Sequence, residues 1–178
     1  KALDHLFSVF IRSSDNSTST VPAHAPGGKP GLIGQTDLKR CCAKIAGDIQ
    51  RIYFLKARNG RMKLLIKGIY AHGPALFFRL QLNNRSPLDY DVDSVRFLVT
   101  ATGRGKQSLA EVRLLTPVYV YDSTSTVPGH SRVTSIFVLP RFTLPPGRQL
   151  LIHIQEKNGG RSLEVQTTNW TLERARSV

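Results

Sequence analysis

Cysteine is nearly absent from this chain: two of 178 residues, adjacent at Cys41 and Cys42. Such a pair cannot staple distant parts of a fold, so a disulfide framework is excluded. A structural zinc site needs four ligands at recognisable spacing, and His5, His24, His72, His130 and His153 are scattered with no such grouping near the pair. The cysteines therefore read as packing, Cys42 in a core and Cys41 beside it. Long apolar runs are missing as well, and no stretch of about 18 apolar residues exists to form a membrane-crossing helix. Trp170 is the only tryptophan and Glu173 the only acid near it, which leaves a carbohydrate-binding or hydrolytic sandwich without its aromatic platform and close carboxylate pair. Nucleophile elbows, HExxH, phosphate-binding GxxxxGK[ST] and strand-linked GxGxxG signatures are absent.

Acidic residues are scarce: 12 Asp and Glu stand against 25 Lys and Arg, a formal net charge of +13 at pH 7. Such a surface attracts polyanions. The bases are nevertheless spread along the whole chain, and the small groupings at 39–40, 58–63, 104–106 and 174–176 include no run of five. Dispersed, solvated charge is the preferred reading over a single anion-binding face.

What the chain does have is alternation. Met62, Leu64 and Ile66 interleave with Lys63 and Lys67; Leu76, Phe78, Leu80 and Leu82 with Arg79, Gln81 and Asn83; Val95, Phe97 and Val99 follow at the same period. A period of two marks strands with one buried face. Further strands are expected over 109–121, 132–139, 149–156 and 161–172. Burial is expected for Leu64, Ile66, Phe78, Leu80, Phe97, Val99, Phe137 and Ile152. Val118, Val120, Ile136 and Val138 lie on the face opposite the expected core, which calls either for a second cover or for an assembly surface. Ahead of the strands, Leu38, Cys42, Ile45, Ile49 and Ile52 form one stripe of an amphipathic helix over 37–52, with Thr36 or Asp37 placed as its cap.

These elements predict an all-β fold, a mainly antiparallel β-sandwich of about seven strands with one N-terminal amphipathic helix. Residues 36–178 form this domain. Residues 1–35 are read as a strand-like tether carrying Leu3, Phe7, Val9 and Ile11, which needs a partner surface, followed by a linker rich in Ser, Thr, Pro and Gly that lacks the apolar area to order itself. The chain opens on Lys1, and residues 2–11 are too short and wrongly flanked for a signal peptide, so the sequence is read as a processed or trimmed product.

The densest chemistry lies in the polar stretch 83–93. Asp89, Asp91 and Asp93 are spaced two apart, as in DxDxD calcium loops, but the loop glycine and terminal glutamate are replaced by Ser94 and Ala101. The preferred reading is a structural turn, its acids serving the backbone or pairing with Arg85 and Arg96, and Tyr90 packing its ring beneath it.

Short blocks through the domain resemble the TraN proteins of Bacteroides-type conjugative transposons. They are Gly68-Ile69-Tyr70, Leu76 to Leu80, Asn84-Arg85-Ser86, Tyr90-Asp91-Val92-Asp93, Arg96-Phe97, Pro117, Leu139-Pro140-Arg141-Phe142-Thr143 and Gly159-Gly160-Arg161. Their order and spacing match over about residues 36 to 176. Gly68, Tyr70, Asn84, Ser86, Tyr90, Asp91, Asp93, Arg96, Phe97, Pro140, Phe142 and Gly160 are thereby identified as family-motif positions, serving as structural turns or contacts. Loop 102–108 departs from the pattern, carrying glycines where a lysine-rich segment is expected.

TraN-like proteins are longer, so the chain resembles their C-terminal domain with its preceding linker. The resemblance implies a periplasmic, outer-membrane-associated core subunit of a type IV secretion channel. It implies ring assembly with a TonB-like channel subunit and a small lipoprotein, membrane association through those partners, and neither catalysis, cofactor nor metal. It argues against direct nucleic-acid binding. The alternative is a nucleic-acid-binding β-module of the OB type, motivated by the charge and by Tyr70, Phe77, Phe78 and Phe97; if Phe78 and Phe97 are buried, they cannot stack on bases.

Overall fold

A computed structural model describes residues 34–49, 55–102 and 112–178. The expected tether and linker lie outside these residues apart from the start of the helix. In chain order the elements are α1 (Gln35–Ala46), β1 (Lys56–Asn59), β2 (Met62–His72), β3 (Ala75–Asn84), β4 (Tyr90–Ala101), β5 (Arg113–Leu115), β6 (Tyr119–Tyr121), β7 (Thr126–Val127), β8 (Arg132–Pro140), β9 (Arg148–Glu156), β10 (Leu163–Thr167), α2 (Asn169–Glu173) and β11 (Arg176–Ser177).

Two sheets face one another. The first runs β1-β2-β3-β8-β6, with β11 added parallel to β2; the second runs β10-β9-β4-β5, with β7 on β4. Every other pairing is antiparallel. The fold is thus the mainly antiparallel sandwich that the alternation predicts.

Its main core lies between the sheets, where Met62, Leu64, Ile66, Leu76, Phe78 and Leu80 of the first meet Phe97, Val99, Leu150, Ile152, Leu163 and Val165 of the second. Phe97 sits at the centre, its ring tilted against Phe78 and Phe137 with centroids 5.5 Å from each. Of the residues expected to be buried, Phe137 alone is only half-buried, because it lines a cleft between the sheets.

A second core covers the other face of the first sheet. Leu38, Cys41, Cys42 and Ile45 of α1 pack on Tyr70, Ala75, Phe77, Ile136 and Val138. Ile136 and Val138 are therefore doubly covered strand residues. Val120 belongs to neither cover: it lines the cleft, while Val118 is 48% exposed. Cys42 is fully buried, and that burial pushes its thiol up to about 12.

Helix α1 begins two residues earlier and ends six earlier than its apolar stripe suggests. Gly34 occupies the N-cap position, Thr36 and Asp37 fall in the first turn without a side-chain capping bond, and Gly47 ends the helix. Ile49 is 87% exposed rather than part of the stripe, and Ile52 lies outside the described residues. What stops the helix is a set of bonds to its C-terminal carbonyls. Arg79 donates to the carbonyls of Ala46, at 2.9 Å, and Asp48. A cation there satisfies orphan acceptors and complements the negative end of the helix. Tyr70 Oη and Arg176 then close on the Asp48 carboxylate at 2.9 and 2.7 Å, fastening helix, β2 and the C-terminus together.

Other boundaries differ for local reasons. The expected strand over 109–121, of which 109–111 lie outside the described residues, is two strands, β5 and β6, in different sheets, because Thr116 and Pro117 carry the chain across the sandwich edge. The strand expected over 161–172 is β10 followed by the short helix α2. Counting these short pieces there are eleven strands among the described residues. In β2 the register slips between Ile66 and Gly68, leaving Lys67 as a bulge. The inward face accordingly passes from Met62, Leu64 and Ile66 to Ile69 and Ala71, and Tyr70 turns toward the helix.

Candidate functional site

Two features stand out at the edges of the sandwich: a polar hub at one end and an apolar cleft beside it. The hub is built from the turn between β3 and β4. Asn84, 1% exposed, donates through Nδ2 to the carbonyls of Leu88 and Val127 at 2.7 and 3.1 Å, and its Oδ1 accepts from the Ser86 amide and hydroxyl at 3.0 and 2.6 Å. Asp91 accepts from Thr126 Oγ1 at 2.7 Å, and Asp89 from the Gly129 amide at 2.9 Å. These bonds tie the turn to the segment around β7. Gly129 has no substitute there, since a Cβ would sit on the Pro87 carbonyl.

Arg161 completes the hub. Its guanidinium donates to Glu156 through Nε at 2.9 Å, to Ser86 Oγ at 3.3 Å and to the Asp89 carbonyl at 2.8 Å, and it lies over the Tyr90 ring, 5.2 Å from the centroid. Tyr90 is fully buried and donates its hydroxyl to the Arg161 carbonyl at 2.7 Å. Charge and burial act here in opposite senses. Hydrogen bonds from Arg161 hold the Glu156 carboxyl below its ordinary range, while burial pushes the Tyr90 phenol up to about 12.

Six of the motif positions are distributed elsewhere. Gly68 follows the bulge, where a Cβ would meet the Tyr70 ring at 2.5 Å; Tyr70 and Phe97 are buried; Arg96 is on β4 and Pro140 ends β8; Phe142 packs partly on the main core. Asn84, Ser86, Tyr90 and Asp91 belong to the hub itself, and Gly160 precedes its arginine. Asp93 does not join them. It is exposed at the mouth of the cleft. The guanidinium that serves the turn is that of Arg161, not of Arg85 or Arg96 as expected. Glu156, Arg161 and Gly129 are the hub members that reading along the chain misses; the Gly159-Gly160-Arg161 block was the available signal for the second.

The cleft opens between the sheets where the chain arches from β5 over β6 to β7. Its walls include Leu82, Val95, Val120, Val133, Phe137 and Ile154, and it encloses about 110 Å³. Beneath the arch, β4 pairs with β7 at Tyr90 and Asp91 and with β5 from Phe97 to Val99, and the Val92 amide donates to Ser125 at 2.7 Å. Between Asp93 and Arg96 no strand pairs with that edge of β4 among the described residues. Ser94, in this stretch, has a buried hydroxyl with no hydrogen-bond partner among them.

On the outer face of the second sheet Leu98 pairs with Leu114 on one side and Leu151 on the other. Leu114 is 42% exposed and its two neighbours are half-buried, so this face carries an apolar row that neither core absorbs.

Over residues 37–177 the sequence matches the model of a family described as a domain of unknown function, DUF4138. No curated protein and no solved structure matches it.

Proposed function

The chain belongs to the DUF4138 family, and from that premise we propose that it is a structural, interaction-making subunit of the periplasmic, outer-membrane-associated core of a conjugative type IV secretion channel, as its TraN-like blocks imply. The observation that carries this reading is the hub. Blocks up to 75 residues apart in the sequence converge there, and their donors and acceptors are spent on one another. Groups so engaged hold an end of the sandwich in shape; they are not left open to a substrate. The TraN-like blocks and the family match cover nearly the same stretch, 36 to 176 and 37–177. Partners in this role are other channel subunits, among them a TonB-like protein and a small lipoprotein, in a ring of repeated copies. The leucine row on the second sheet supports such contacts, because clustered exposed apolar surface marks association.

The test uses donor cells in which this gene is disrupted. DNA transfer to recipients falls to background and is restored by the wild-type gene. Leu114→Asp, on the exposed row, keeps its melting temperature but fails to restore transfer or outer-membrane fractionation. Transfer that survives the disruption would sink the proposal.

Burial of the aromatics weighs against the OB-type alternative. Phe77, Phe78 and Phe97 are fully buried and Tyr70 is 3% exposed, which removes the stacking platform. Single-stranded oligonucleotides are accordingly expected to bind through dispersed charge alone. If about six to ten phosphates are contacted, affinity falls by roughly 10³ to 10⁵ between about 50 and 200 mM salt. Submicromolar binding that persists at the higher salt would restore the alternative.

A further inference from the structure

Helix α1 belongs to a core of its own. Leu38, Cys41, Cys42 and Ile45 pack on the outer face of the first sheet, and among the described residues the helix contributes nothing to the core between the sheets. Twelve residues without a side-chain capping bond make a helix that is marginal in isolation. It keeps its shape only while it stays docked. Its departure leaves the two-sheet core filled, which is the condition for local opening at less than the cost of global unfolding.

What keeps α1 docked, besides its apolar stripe, gathers at its C-terminal end. Tyr70 and Arg79 reach that end from β2 and β3. A third tie comes from another part of the chain: Arg176 donates to the Asp48 carboxylate at 2.7 Å and lies 6.0 Å from the centroid of the Tyr70 ring, while Val178 packs on the second core. These residues follow α2 directly. Leu172 is buried in the main core and Ala175 packs against it, so residues 172–178 run as a strap from one core to the other. The strap is lightly held where it meets the helix. β11 pairs with β2 over two residues, and the Arg176 and Asp48 side chains are 47% and 22% exposed.

We propose that α1 is a releasable cover of the first sheet, held shut by residues 176–178, and that displacing those residues frees the helix and bares Phe77, Ile136 and Val138 while the two-sheet core stays folded. Loss of the strap removes a cation from the Asp48 carboxylate and an apolar contact from the second core, so opening starts at the C-terminal end of α1. The inference is independent of the conjugation reading, since it concerns contacts within this chain alone.

The chain carries its own reporter. Cys41 and Cys42 are its only thiols, and both are buried beneath α1. In a Cys41→Ser background Cys42 is the sole thiol, and its burial keeps it protonated and out of reach of an excess of dithiobis-nitrobenzoate until the helix lifts. The full chain in that background is compared with its Arg176→Met and Arg176→Met/Val178→Asp variants. The labelling rate is expected to rise about threefold in the first, whose ion pair is partly solvated, and at least about tenfold in the second, which also loses an apolar contact. Amide exchange is expected to quicken in parallel across 38–45 while Phe97 and Ile152 keep the rates of the unaltered strap. Unchanged labelling in the double variant would overturn the proposal, as would faster labelling without faster exchange in α1. A matching rise in exchange at Phe97 and Ile152 would also overturn it, making α1 part of one cooperative unit with the sandwich.

Discussion

Replacing Arg161 by Met is expected to destabilise the domain by about 3 kcal/mol at neutral pH, and the loss should shrink as the solution is acidified. The magnitude follows from leaving one member of a largely buried pair behind, which costs roughly 3 to 5 kcal/mol in fully buried cases. With the Arg161 side chain 26% exposed and that of Glu156 11% exposed, the lower end of that range applies. The sign of the pH dependence follows from the carboxylate. In the native protein Arg161 depresses the Glu156 pKa below its reference of 4.5, so the pair stabilises the fold above that value and ceases to do so as pH falls through the lower, folded one. In Arg161→Met the buried carboxylate has lost its partner and its pKa rises instead. Protonation then relieves the variant before it weakens the wild type. Urea melts of both proteins from neutral to acidic pH measure this directly; a difference that stays constant with pH would mean that Arg161 acts through packing on Tyr90 rather than through charge.

Phe97→Ala should have a comparable or larger effect, about 3 to 5 kcal/mol, equivalent to a fall in melting temperature of roughly 6 to 20 °C for a domain of this size. Phe97 is fully buried and in ring contact with both Phe78 and Phe137. Removing its ring leaves a void continuous with the space that Phe137 already borders. Inward collapse of Phe137, which is only half-buried, would relax the site. A loss below about 1 kcal/mol, measured by equilibrium unfolding, would show that it occurs fully.

The strands were legible where burial is one-sided. In β3 Leu76, Phe78, Leu80 and Leu82 alternate as expected, and in β4 so do Val95, Phe97 and Val99, but β4 begins at Tyr90, inside the expected turn, and its register with β9 slips between Val92 and Ser94. In β2 the same pattern concealed a bulge, because Lys67 is a plausible outward residue in either register and only pairing with β3 reveals the slip. The helix was legible from its stripe but its end was not: Ile49 fits the spacing, whereas the stop depends on Arg79 and Tyr70, which lie beyond the helix in sequence. The turn expected over 83–93 declared itself through Asn, Pro and Asp but is shorter: Asn83 and Asn84 end β3 and Tyr90 to Asp93 open β4, leaving 85–89 between the strands. Its dependence on Arg161 did not declare itself, since one guanidinium among 25 basic residues has no local mark, and the pairing is made across the fold. The cleft was illegible for a related reason, being defined by where the arch crosses between sheets.

The fastening of Asp48 to Arg176 joins residues 128 positions apart, and β11 pairs with β2 through Arg176 and Ser177, more than 100 residues beyond it in sequence. Contacts of such separation close late, after most of the loop entropy has been lost. The helix-bearing side of this domain is therefore completed only once residues 176–177 have reached β2, and until then Tyr70 and the end of α1 lack the tie that Arg176 makes to Asp48.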